Sequence, residues 1–225
     1  MFVIPCKYTT NSKIVELVNQ INNFHSDEKI LIVDSYSEDQ SYIDIISKKH
    51  KNIIFAEQNR NYVDSATWFA YLTFPEEKYY FVLQDSMEVH KNLNIFKNFD
   101  FTSFMWFQVD KELLSRGRGW HNIFQRNWAE QMVSSNTSFK FMEEFIGLFG
   151  ITFISNRDVL NKLYDNGLYN ILPRNKTEMC AGERIWGMCL QQLGIDIKKS
   201  SIFGKRGEGP TFKSEYITKY TFNRA

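Results

Sequence analysis

Short apolar runs alternate with segments of helical period through the first part of the chain. Phe2-Val3-Ile4-Pro5 is an apolar run halted by proline, the pattern of a buried strand's end. Ile14, Leu17, Val18 and Ile21 follow at i, i+3, i+4 and i+7, which predicts an amphipathic helix capped by Asn11 or Ser12. Ile30-Leu31-Ile32-Val33 reads as a second strand, ending in the polar cluster Asp34-Ser35-Tyr36-Ser37-Glu38-Asp39. Tyr42, Ile45 and Ile46 mark a second helix with Asp39 as its cap, and Asn52-Ile53-Ile54-Phe55-Ala56 a third strand. Asp64 or Ser65 can cap a third helix carrying Ala66, Phe69 and Ala70, closed by Pro75, before the strand Tyr79-Tyr80-Phe81-Val82-Leu83. Strand and helix alternating in this way imply right-handed crossovers and a mostly parallel sheet covered on both faces. The predicted fold class is therefore α/β, a Rossmann-like three-layer sandwich.

The later sequence is less regular. Phe104 to Val109 predicts a strand, Arg116-Gly117-Arg118-Gly119-Trp120 a loop, and Phe139 to Leu148 an apolar-rich helix. A strand over Gly150–Ser155 and a helix over Asp158–Tyr164 follow. Glu178 to Leu193 carries Trp186, Cys189, Leu190 and Leu193 at helical spacing, with Gly194 as C-cap. The tail from Gly204 to Ala225, with Lys205-Arg206-Gly207-Glu208-Gly209-Pro210, reads as a flexible loop. No repeat or linker interrupts the pattern, so the expectation is a single domain over 1–225 with two functional halves, 1–90 and 91–225.

Composition narrows the function. The 225 residues suffice for a core without a disulfide or metal staple. Charge nearly cancels at +1, which argues against a nucleic-acid binder. Aromatic residues reach 16%, enough to supply stacking platforms as well as core. Cys6, Cys180 and Cys189 form no CxxC pair and read as reduced thiols. No apolar run is long enough to span a membrane, and MFVIPCKYTT lacks the regions of a signal peptide. These features lead to the expectation of a soluble, cytoplasmic protein.

Ligands of open parallel sheets bind beyond the carboxyl ends of the strands. Those ends carry Pro5-Cys6-Lys7-Tyr8, Asp34-Ser35, Glu57-Gln58-Asn59 and Gln84-Asp85-Ser86-Met87-Glu88. Carboxylates there can bond sugar hydroxyls or hold a cation. Neither GxGxxG nor GxxxxGK[ST] follows the first strand, so the dinucleotide and P-loop readings lose their fingerprints.

The order Phe2-Val3-Ile4-Pro5, Val33-Asp34-Ser35-Tyr36-Ser37-Glu38-Asp39, Glu57-Gln58-Asn59-Arg60-Asn61 and Leu83-Gln84-Asp85-Ser86 resembles the GT-A glycosyltransferases, particularly family-2-like members. The likeness covers residues 1–90 and only loosely the rest. It implies a nucleotide-sugar donor, with UDP the expected nucleotide, a glycan acceptor, and Mg²⁺ or Mn²⁺ at the diphosphate. Small enzymes of this kind are reminiscent of those building bacterial surface glycans or viral coat glycans, in the cytoplasm of a bacterium or of an infected cell. Pro5, Lys7, Asp34, Asn59 and Asp64 would line the nucleotide pocket, and Gln84, Asp85 and Ser86 would meet the diphosphate. The family's DxD pattern is altered here, since Glu88 stands three residues beyond Asp85, so the implied metal ligands are Asp85 and Glu88. Lys205 and Arg206 are an alternative clamp for the diphosphate.

The resemblance also implies a general base in the second half, where Met179-Cys180-Ala181-Gly182-Glu183-Arg184-Ile185-Trp186 is the best match. Glu183 would take a proton from the acceptor hydroxyl in an inverting displacement; alternatively it merely complements the helix dipole. Arg184 reads as a surface ion-pair residue. Trp120, His121 and Trp186 are the acceptor-binding candidates, Trp120 as a stacking plate or simply a tucked loop residue. Two rival functions remain. A nucleotidyltransferase is disfavoured by the glycine-free stretch Cys6-Lys7-Tyr8-Thr9-Thr10-Asn11, and a non-catalytic sugar-nucleotide or glycan-binding module would bind without turnover.

Overall fold

The computed structural model describes residues 1–6, 11–58 and 63–221, without the side chains of 11, 12, 63 and 64. Lys7 and Asn59 therefore lie outside the described residues, and the Asp64 side chain does too. The chain divides into two compact units, one formed by Met1–Asn98 with Gly207–Ala225, the other by Phe99–Arg206.

The first unit opens with the predicted alternation: β1 (Phe2–Cys6), α1 (Asn11–Phe24), β2 (Ile30–Asp34), α2 (Tyr42–Lys49), β3 (Ile53–Glu57), α3 (Val63–Thr73) and β4 (Tyr79–Val82). Its strands lie parallel in the order β3-β2-β1-β4. β1 and β2 are buried throughout, which is why they read as continuous apolar runs. Helix α2 starts one residue after Ser41, whose N–H is fixed by Asp39 at 2.9 Å, so Asp39 orders the approach to the helix. A tight turn closed by Met87 N–H on Gln84 O at 3.1 Å links β4 to β5 (Met87–Val89).

The second unit holds β6 (Phe101–Ser103), β7 (Trp106–Val109), α4 (Lys111–Ser115), α5 (Ile123–Asn136), β8 (Phe145–Leu148), β9 (Phe153–Asn156), α6 (Arg157–Asp165) and α7 (Lys176–Gln192). The strand expected over 104–109 forms only from Trp106, as β7; the separate strand β6 precedes it, and the two pair with different partners. The helix expected over 139–148 does not form; its last residues are β8, antiparallel to β7. Glycine explains the difference. Phe107 lies over Gly147, where a Cβ would stand 2.1 Å from the ring, so the aromatic run packs by cross-strand contact. The strand expected from Gly150 starts at Phe153, because Gly150 (φ 70) and Ile151 (φ 50) turn through left-handed backbone. Helix α7 ends as expected, with Gly194 left-handed at φ 77.

The chain then returns to the first unit with β10 (Thr211–Lys213) and β11 (Ile217–Tyr220). The tail is thus more than a loop: β10, β11 and β5 form a three-stranded antiparallel sheet. Among the described residues no helix is long and apolar enough to cross a membrane.

Candidate functional site

Strand order sets the first candidate site. The chain passes from β1 to β2 to β3 on one side, then places β4 on the other side of β1. The carboxyl ends of β1 and β4 thus flank a topological switch point, where open sheets bind ligands. Pro5 and Cys6 are buried at the end of β1. Asp34 ends β2 with 2% exposure. Its Oδ1 accepts the Ser37 N–H at 2.7 Å and its Oδ2 accepts the Tyr42 hydroxyl at 2.5 Å. Burial raises the Tyr42 phenol far above its usual range, aided by Cys6 and Asp34, so it stays a donor. Both Asp34 oxygens are accordingly held in place as acceptors.

Past β4, Asp85 (6% exposed) and Ser86 form the centre of the tight turn. They line a cavity of about 250 Å³ with Lys13 and Glu16 of α1, Met87 and Glu88 of β5, and Tyr220 of β11. Tyr220 donates to Glu88 Oε1 at 2.9 Å, and its N–H bonds Ser86 O at 3.0 Å. Lys219, 2% exposed, brings its ammonium to the Gln84 side-chain oxygen. An internal cation therefore sits behind the turn that carries Asp85.

Among the described residues the donor set for a divalent cation is incomplete. Asp85 and Glu88 share the cavity, but Glu88 is already held by Tyr220. Among the described residues no group of three His, Cys, Asp or Glu side chains converges as a metal site needs.

The second unit carries the other candidates. Glu183 is 9% exposed and accepts the Gly150 N–H at 2.9 Å. Arg184 corrects the surface reading: it is 6% exposed and makes no ion pair among the described residues. Its Nε donates to Gly119 O and an Nη to Cys180 O, each at 2.7 Å. Phe107 and Trp120 hold the guanidinium, their ring centroids 5.1 and 5.3 Å from its carbon. Trp120 also stacks on Phe141 at 5.9 Å, so much of its ring is occupied as wall. Trp186 is 1% exposed against Phe153 and offers no face to a ligand. His121 is exposed beside Trp120; burial and the charges of Arg184, Arg206 and Lys176 lower its pKa. Lys205 pairs with Trp106 in a β-bridge, and the Arg206 guanidinium lies 4.3 Å from the Phe149 ring centre. Both belong to the second unit, with Glu183 and Arg184.

Several contributors carried no sequence signal. Tyr42 reaches Asp34 from the next helix and Lys219 reaches Gln84 from far along the chain, and a lysine inside a short strand gives no hint of burial.

No protein-family model matches the sequence. No curated protein matches it either. Among solved structures the chain is similar to core-mannan synthase A of Aspergillus fumigatus in its Mn/GDP form, at 7% identity and TM-score 0.48 over 94% of this chain and 75% of that one. It is similar to residues 1–349 of S. aureus TarS at 14% identity and TM-score 0.42, over 80% of this chain and only 53% of that one. The galactosyltransferase LgtC, bound to donor and acceptor sugar analogues, gives 9% identity and TM-score 0.43 over 80% of this chain and 69% of that one. At such identities the likeness is one of backbone layout, a mixed α/β fold with a mostly parallel central sheet.

Proposed function

We propose that the chain is a glycosyltransferase moving a sugar from a nucleotide-sugar donor to a glycan hydroxyl. The observation that carries this reading is the placement of Asp34 at the carboxyl end of β2 and of Asp85 in the turn after β4, with β1 and the switch point between these strands. Asp34, fixed by Ser37 and Tyr42, is suited to accept hydroxyl hydrogens from a base or ribose. Pro5 is assigned to the floor, and Lys7, Asn59 and Asp64 are the residues assigned to the nucleotide from the sequence alone. The turn Gln84-Asp85-Ser86 is assigned to the diphosphate end, with Lys219 supplying positive charge behind it. UDP is the nucleotide to try first. The Mg²⁺ or Mn²⁺ expected at Asp85 and Glu88 finds too few ligands among the described residues, so the transfer is derived from the chain's own groups.

Glu183 is assigned the general base. The acceptor oxygen attacks the anomeric carbon, the bond from that carbon to the diphosphate oxygen breaks, and the nucleoside diphosphate leaves with the electron pair. The acceptor's proton passes to the Glu183 carboxylate, which the Gly150 N–H holds in orientation. One displacement inverts the anomeric centre.

A calorimetric and thermal-shift panel of UDP, GDP, CMP and UDP-sugars, each with and without Mn²⁺, tests the donor site. Selective binding of one nucleotide that Asp85→Ala abolishes supports the reading, since a ligand specific for the native state raises Tm by mass action. Silence across the panel refutes it. Binding of a nucleotide-sugar without turnover on any glycan would instead favour the non-catalytic module.

A further inference from the structure

Helix α7 carries a feature that proton transfer alone does not use. Lys176, Cys180 and Arg184 follow at four-residue spacing, so they form a row along one face. Arg184 ends that row in a position where burial without an anion is costly. The carbonyls of Gly119 and Cys180, the two flanking rings and the field of neighbouring Glu183 offset part of that cost, while no carboxylate forms an ion pair with the guanidinium among the described residues. Lys176 and Arg206 likewise have no ion pair among the described residues. Of the acids near the row, Glu178 takes the Arg174 guanidinium and backbone N–H, while Glu183 takes the Gly150 N–H and acts on Arg184 only through its field. Loop 119–121 is tied to Arg184, and the Phe149–Gly150 turn under Arg206 is tied to Glu183. The same three cations act on both His121 and the Cys180 thiol, which places them in one electrostatic neighbourhood.

We propose that this face of α7, with Arg206 and His121 beside it, binds an oxyanion, phosphate or carboxylate, carried by the acceptor sugar. The inference rests on the glycosyl-transfer reading. A planar guanidinium fork and an ammonium in an unpaired row match the charge and geometry of an oxyanion. The Phe149–Gly150 turn that Glu183 holds lies under Arg206, so an anion held at Arg206 keeps the acceptor near the carboxylate that takes its proton. The selected substrate class is thus an acidic glycan rather than a neutral one.

Isothermal calorimetry on the full chain with glucose 6-phosphate, glucuronate and glucose tests the site, with UDP measured in parallel. The variant is the double substitution Lys176→Ala/Arg206→Ala, both exposed positions, leaving buried Arg184 in place. The expected result is binding of the charged sugars but not glucose, weakened about tenfold or more in the variant, with UDP affinity and Tm unchanged. Charged sugars that bind no better than glucose, or equally to the variant, overturn the site. UDP binding lost in the variant assigns the cations to the donor's diphosphate and overturns the acceptor assignment. If UDP fails to bind while charged sugars bind through Lys176 and Arg206, the anion site stands and the transfer reading falls.

Discussion

Acidification should destabilise the first unit through His25, which directly follows α1 and is only 4% exposed. Its Nε2 accepts the Leu93 N–H at 3.0 Å, so the neutral ring carries its proton on Nδ1, which has no hydrogen-bond partner. Phe2 and Phe81 lie 4.9 and 6.0 Å from the ring, a surrounding poor in compensation for charge. A second proton would enter at Nε2 and confront the Leu93 N–H, both charging a buried ring and breaking a bond. Burial lowers the pKa from 6.5 to about 4; Glu28 opposes the shift, and Lys97 and the amino terminus add to it. Between those values the unfolded chain binds a proton that the folded chain refuses, so stability falls as pH drops through the window. The interval from 6.5 to about 4 corresponds to at most about 3 kcal/mol. Glu28 acts lower down: Lys97 and the amino terminus outweigh its burial and hold its pKa below the usual value, so its contribution is lost only at more acid pH. Urea denaturation of wild type and His25→Gln from pH 8 to pH 4 measures the difference, because glutamine can accept the Leu93 N–H without titrating. The expected result is a steeper decline in wild type, confined to the window above pH 4. Parallel curves would refute the argument.

Tyr42→Phe removes the hydroxyl donor from buried Asp34 and should cost about 1–3 kcal/mol in denaturant titrations, with weaker nucleotide binding; unchanged stability would show that Asp34 does not depend on it. Gly187→Ala places a Cβ 1.9 Å from Ile146 O, so α7 must move off β8, at a cost of about 3 kcal/mol; a wild-type Tm would rule out that close contact. Lys219→Met should loosen the turn that presents Asp85 and weaken UDP binding by calorimetry, and equal affinity would make the lysine purely structural. Glu183→Gln keeps an acceptor for the Gly150 N–H, so the variant should fold and bind donor while losing turnover; full turnover would remove Glu183 as the base.

The parallel sheet was legible because its central strands are buried on both faces and their sequence is uninterruptedly apolar. Asp34 and Asp85 were legible for the same reason, as carboxylates standing at the ends of such runs. The second unit hid its structure in close approaches. Residues 145–148 look helical by composition, but Gly147 accepts the Phe107 ring and Gly187 lets α7 lie against the backbone of Ile146, contacts visible only with both partners in place. Helix α5 escaped notice because its buried line is Gln125, Ala129 and Val133, narrow and led by a polar residue, while Ile123 and Phe124 stay exposed. Arg184 misled for a simpler reason: arginine is usually at the surface, and only aromatic residues far away in sequence reveal its burial.

Glu183 and Arg184 are consecutive, both buried, and engaged on different partners. Successive helical residues point about 100° apart, which directs one toward the Gly150 turn and the other toward the Gly119 loop. The Gly150 turn is itself costly, since Ile151 at φ 50 is a β-branched residue in left-handed backbone. Such strain persists only where the surroundings enforce it, and here the enforced geometry aims an N–H at a carboxylate. A carboxylate fixed in this way has a set direction for receiving a proton. The adjacent guanidinium, stacked between rings and making no ion pair among the described residues, would on the proposed reading receive an anion from a set direction. On that reading, substrate selection and proton transfer share one seventeen-residue helix, so a shift of α7 would disturb the two together.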